Sequence, residues 1–357
     1  MPVNVGLAHL SNDFLICTLV LYSLALLAYA GDFAFGRHSA KAETPAAEVP
    51  ELVTAGVPAA GAGSGAAAGA GSAASAGAAD AEGAPGRPAA AGLRAPGRGS
   101  WLPGGTWVRA ALLLNSLGLA THVIGVTTRG LAVHRVPWGD MYEFAASATC
   151  VAVIFFLALM IRYRAYYLGL FVMAPVLVAL GLAETVIYTP AGPIAVALQS
   201  YWLAIHVTAM TLATGAYVVG AALAVVYLLA DRNARRVADG RQSPSVGVFR
   251  LLPGPDVIDR LAYRTVMFAF PIWTFGIIAG AIWADQAWGR YWGWDPTETW
   301  AFITWVVYAC FLHARATAGW RGRRAAYIQL IGFGCLLFNL LGVSIFITGL
   351  HSYAGLS

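Results

Sequence analysis

The chain has 357 residues, of which 59% are apolar and only 11% charged, with 22 basic against 17 acidic side chains. So lopsided a balance excludes an ordinary water-soluble enzyme of this length and points to a membrane protein. Basic residues gather at a few loops, so the net charge of +5 reflects topology and calls for no nucleic-acid partner.

Uncharged stretches run over 14–31, 110–128, 144–161, 165–183, 202–230, 265–284, 299–314 and 325–349. Most approach the ~20 residues that carry a helix across ~30 Å of hydrocarbon, so the expected fold is all-α, a polytopic bundle of about eight transmembrane helices. The 299–314 stretch is short, and Arg315 can extend it by snorkelling. With the N-terminus outside, 19 of the 22 basic residues fall on the inner side and only Arg129, Arg135 and Arg290 fall outside. That asymmetry places both termini extracytoplasmic.

The first stretch ends in Ala28-Tyr29-Ala30, which looks like a cleavage site, yet no basic residue precedes it. An uncleaved helix within residues 1–37 is the expectation. Residues 38–104 are dominated by Ala, Gly and Pro, lack the apolar residues of a core, and read as a flexible cytoplasmic spacer. Residues 105–357 form the membrane domain. Cys17, Cys150, Cys310 and Cys335 all lie within predicted helices with no CxxC pair, so this chain is not expected to exchange dithiols.

Six of the chain's twelve tryptophans lie in residues 283–305, WADQAWGRYWGWDPTETWAFITW. Stacked indoles suit a flat apolar ligand, and Arg290 adds a positive fork for an anionic edge; an aromatic belt at the membrane interface is the plainer explanation. Asp295-Pro296-Thr297-Glu298 has the order of a capping box with proline at the first helical position, so a helix starts at Pro296. His206 sits near the outer start of the fifth helix and His351 follows the eighth, at matching depth, so the pair could supply both axial ligands of one haem iron. His313 lies 15 residues past Glu298, about 22 Å down the seventh helix. Depth alone makes it a functional candidate, or a histidine satisfied by a neighbouring helix. His9 and His38 carry no assignment, and His122 remains ambiguous.

The segment Ala287–Arg315, with its WDPTETW core and the LHAR that follows, resembles the tryptophan-rich "WWD" signature of haem-handling proteins. In detail it resembles the CcsA/ResC branch of cytochrome c maturation, called CcsB in actinobacteria. His134–Phe144 is similar to that family's P-x-x-N-x-Y-E loop, with Asp140 where asparagine is expected. The resemblance covers most of residues 107–357, with the WWD loop at 283–300. It implies His206 and His351 as axial ligands of an external haem b, and Trp288, Trp292, Trp294 and Asp295 as the motif holding the porphyrin. It implies His313 as the ligand of a second haem within the membrane, completed by a ResB-like subunit. Glu143 and Tyr142 would support the outer site from behind. The implied activity is that of a cytochrome c haem lyase component of the plasma membrane. Haem would pass from the cytoplasmic side to the outer site and meet the CxxCH thiols of apocytochrome c, with a thioredoxin-like reductant as a further partner. No side chain reads as nucleophile or acid–base catalyst. A haem transporter without ligation, or a bis-histidine b-type electron carrier, are the competing readings.

Overall fold

A computed structural model describes residues 3–35, 105–194, 198–241 and 252–351 of the chain. The expected spacer and His38 lie outside the described residues. Those described form helices and turns, with no strand among them. The helices are α1 (Val5–Phe35), α2 (Thr106–Val133), α3 (Met141–Tyr163), α4 (Gly169–Thr185), α5 (Tyr201–Ala238), α6 (Pro255–Trp288), α7 (Pro296–Ala316) and α8 (Arg323–Leu337). After α8 the chain continues through one π-helical turn, Phe338–Val343, and a last helical turn, Ser344–Phe346.

Eight helices thus stand where eight apolar stretches are read. Seven of them, all but α7, are long and apolar enough to cross a membrane. Helix α7 is 21 residues long, but Glu298, His313 and Arg315 near its ends lower its apolarity. The expected snorkelling of Arg315 does not occur. Its guanidinium turns inward, pairs with both carboxylate oxygens of Asp259 at 2.8 and 2.9 Å, and lies 4.4 Å from the Tyr263 ring centroid. A neighbouring helix thus meets the charge with a bidentate, charge-assisted pair.

Helix α5 is the centre of the bundle: 72% of its apolar window is buried, against 33% for α1 and α2. The outward faces of α1, α2, α6 and α8 expose Leu24, Leu113, Phe275 and Ile331, a distribution suited to lipid contact. Helices α1 and α2 pack through small residues and hydroxyls, with Ser11 donating to the Gly125 carbonyl at 2.7 Å and Thr18 bonding Thr121 at 2.8 Å. His122 belongs to this pair: it is fully buried and its Nδ1 lies 3.3 Å from the Tyr22 hydroxyl.

Candidate functional site

The site is built where α5 begins, α6 ends, α7 begins and the tail after α8 returns. His206 lies on α5 and faces α6, where Gly276 and Gly280 are one turn apart. Small residues at this spacing let two membrane helices approach closely. A Cβ on Gly280 would come 2.6 Å from His206 Nδ1 and 2.7 Å from its Cε1, so the imidazole lies flat on that glycine. His206 Nδ1 is 2.8 Å from the Gly276 carbonyl oxygen. A carbonyl only accepts, so Nδ1 carries the hydrogen and Nε2 carries the lone pair.

His351 is held in the same way by a different partner. Its Nδ1 is 2.7 Å from Asp295 Oδ2, while the Leu350 N–H donates to Asp295 Oδ1 at 2.6 Å. A carboxylate acceptor fixes the hydrogen on Nδ1, so any metal bond His351 makes is through Nε2 and is strengthened by the anion behind the ring. Asp295 also forms the capping box read from the sequence: it accepts from Thr297 N–H, and Glu298 accepts from the N–H groups of Asp295 and Gly293. One side chain thereby starts α7 and anchors the tail. Burial of Asp295 opposes its charge, but the His351 ring and the Leu350 and Thr297 N–H groups outweigh it and hold the carboxyl below the usual range.

Between the two imidazoles stands Trp283. Its ring stacks 6.2 Å from His206 at an interplanar angle of 15° and meets His351 edge-on at 5.9 Å. Trp288 packs against both Trp283, at 4.8 Å, and His351, at 5.3 Å. Two adjoining cavities of about 150 and 90 Å³ share His206, Met210, Trp283, Thr297, Asn339 and His351 as walls. Both are smaller than the ~300–1,000 Å³ of typical ligand pockets, so a large planar ligand would enter only if the loop after Trp288 and the tail move apart.

The remaining motif residues divide. Trp288 and Trp292 line the smaller cavity. Trp294 lines neither; it is 67% exposed, touches Trp292 edge-on, and adopts φ of 58°. That left-handed backbone costs a tryptophan about 1–2 kcal/mol and is a kind of strain that tends to sit at functional loops. Arg290 folds back onto Gly293 and borders neither cavity. His313 stands apart, at the other end of α7, exposed on the bundle's outer face. Sequence reasoning assigned no role to Trp283 or Asn339. The signal for Trp283 was its place at the head of the tryptophan run; Asn339 had only the rarity of a buried amide in an apolar helix.

The wall opposite α6 comes from the loop before α3, since Trp138, Gly139 and Asp140 line the larger cavity. Glu143 anchors that loop, accepting from Gly139 N–H at 2.8 Å, Arg129 Nε at 3.1 Å and Arg135 at 2.6 Å. Asp140 fills the asparagine place and caps α3, accepting from Glu143 N–H at 2.8 Å. Burial, then the Glu143 charge, raise its pKa to about 6, against the pull of the Glu143 N–H and both arginines. Because folding raises this pKa, the stability linked to it is present below the unfolded carboxylate pKa and is lost as pH rises through about 6. Asp140→Asn keeps the cap without the charge. It should stabilise the fold at pH 8 by on the order of 2–3 kcal/mol, read as a higher melting temperature, and change little at pH 4. Thermal unfolding in detergent at the two pH values measures this, and an equal shift at both would refute it.

A family model described as "Cytochrome C assembly protein" matches residues 111–351, which include His206, Asp295, His313 and His351. Relatives named "Cytochrome c biogenesis protein CcsA" include that of Gloeobacter violaceus, 32% identical over 300 residues, covering 71% of this chain and 87% of the relative. That of Mesostigma viride is 35% identical over 246 residues, covering 62% and 78%. That of Guillardia theta is 43% identical over 179 residues, covering 47% of this chain and 58% of the relative, so this chain spans little more than half of that protein.

Proposed function

The chain belongs to the cytochrome c assembly protein family and is a CcsA-like cytochrome c biogenesis protein, and from that premise we propose that it presents haem to apocytochrome c on the outer face of the plasma membrane. The reading is carried by one observation: two histidines on opposite sides of Trp283 both have Nδ1 engaged, by a carbonyl and a carboxylate, so that each offers Nε2 to a metal.

In this reading haem b is substrate. His206 and His351 hold the iron through Nε2, Trp283 and Trp288 pack against the porphyrin, and Asp295 keeps the tail imidazole in place. Each CxxCH thiol then adds across one vinyl group, forming one S–C and one C–H bond with no leaving group. The CxxCH histidine replaces one of the chain's own ligands, which favours release. The chain contributes positioning, and it stabilises ferrous iron by paired imidazoles. The basic residues gathered at the end of α5 and the start of α8 support a cytoplasmic position for that end. His313, exposed on α7, would take haem there, with a ResB-like subunit supplying the second ligand. A thioredoxin-like protein would keep the apocytochrome thiols reduced.

Covalent attachment is the test. This chain, a ResB-like companion and a CxxCH apocytochrome are co-expressed in cells lacking their own assembly proteins. A haem-stained cytochrome band that withstands denaturation is the expected result. Normal levels of all three proteins with haem that washes off would leave transport without ligation.

The glycine beneath His206 gives a second check. Gly280→Val should push the imidazole off the Gly276 carbonyl and weaken haem retention roughly 10–100-fold, the usual cost of removing a ligand's orienting partner. Haem titration of the purified variant reads this, and unchanged affinity would count against His206 as a ligand.

A further inference from the structure

Between α5, α7 and α8 lie five buried polar atoms that have no protein partner among the described residues: Thr214 Oγ1, Tyr217 Oη, Tyr308 Oη, Gln329 Nε2 and Asn339 Oδ1. All five side chains are at most 5% exposed. Leaving such a group dry is costly, and buried polar groups without protein partners are commonly met by internal water. Helical spacing relates them, since Thr214 and Tyr217 are one turn apart on α5 and Gln329 and Gly332 one turn apart on α8. Thr214 and Asn339 wall the larger cavity at the outer site. The Tyr217 and Tyr308 rings stack at 3.9 Å, Tyr308 lies against Gly332 of α8, and Gln329 Nε2 lies against Gly220 of α5.

The sequence of α5 extends the line. His206, Met210, Thr214, Tyr217, Gly220, Ala224, Tyr227 and Asp231 follow one another at steps of three or four, so they share one face of the helix. Thr214 and Tyr227 are about 20 Å apart along the axis. Tyr227 borders a separate cavity of about 590 Å³ with Asp259 and Arg315 at the opposite end of the bundle. Hydroxyls such as those of Tyr217, Tyr227 and Tyr308 can each donate and accept a hydrogen bond, which is what passing a proton along water requires.

We propose that the seam of these polar groups binds a file of water molecules and carries protons between the cavity at Tyr227 and the outer cavity walled by His206. Its hydration does not depend on the haem assignment; its service to His206 rests on that reading, and haem absorbance of the same samples reports the outer site separately.

Hydroxyl-radical footprinting of the full-length protein tests hydration, because radicals made from bound water oxidise the side chains beside it. Tyr217 and Tyr308 should be oxidised despite their burial, while Phe156 and Phe311, equally buried, should not. Tyrosines as unreactive as those phenylalanines, with exposed Trp294 fully oxidised, would overturn the proposal. The Tyr217→Phe, Tyr308→Phe protein separates the cases by sign: a lower melting temperature fits hydroxyls bonded to water, and an equal or higher one fits a dry seam. For the proton-carrying role, vesicles holding wild type should dissipate an imposed pH gradient faster than vesicles holding the Thr214→Val, Tyr217→Phe protein. Equal rates would overturn that role.

Discussion

His206→Ala, in a His313→Ala background that removes the second candidate ligand, is expected to purify with the proposed ResB-like subunit almost free of haem absorbance. The loss should reach at least roughly a hundredfold in affinity, since even partners that merely orient a metal ligand are worth 10–100-fold. His351→Ala should behave alike, but the two sites should differ in rescue. His351 has 27% of its side chain exposed, in the segment that follows α8. His206 lies between α5 and α6, flat against Gly280. Imidazole in the buffer should therefore restore absorbance to His351→Gly more readily than to His206→Gly. Full absorbance with an unchanged spectrum in either alanine variant would remove that residue from the ligand set.

Glu143→Ala should produce the largest loss of stability. The Glu143 side chain is fully buried and pairs with Arg129, itself 2% exposed, and with Arg135. Removing the acid leaves a guanidinium without its carboxylate in the interior, which costs about 3–5 kcal/mol. In a protein of this size that lowers the melting temperature by on the order of 10 °C. Haem retention should fall as well, because Glu143 anchors the Trp138–Asp140 wall of the larger cavity. Adding Arg129→Met to a Glu143→Leu protein should recover part of the stability, since an apolar pair avoids the stranded charge. A melting temperature within 2 °C of wild type for Glu143→Ala would show that water reaches this cluster.

The outer site was more legible in the sequence than its inner walls. The WDPTE segment specifies a capping box, and α7 begins at Pro296 with that box formed. The depths of His206 and His351 follow from counting helices, and the two line the same cavities. Which indole would stand between them could not be read, because α6 is apolar on nearly every face and its periodicity does not say which side meets α5. Trp288, which ends the helix, and Trp292 and Trp294 beyond it were therefore favoured over Trp283. Arg315 was misread for a related reason: an end-of-helix arginine can snorkel or pair, and Asp259 lies 56 positions earlier in the chain. Asn339 lies in a π-helical turn that no spacing rule anticipates. The expected spacer at 38–104 lies outside the described residues, so its role stays a proposal.

The most direct measurement is a cryo-EM map of the haem-loaded protein with the proposed ResB-like subunit. The account predicts porphyrin density beside Trp283, with iron bonded to Nε2 of both His206 and His351 and Asp295 still on Nδ1 of the latter. A haem-loaded complex with density only at His313, or with iron bound to any other residue at the outer face, would contradict it.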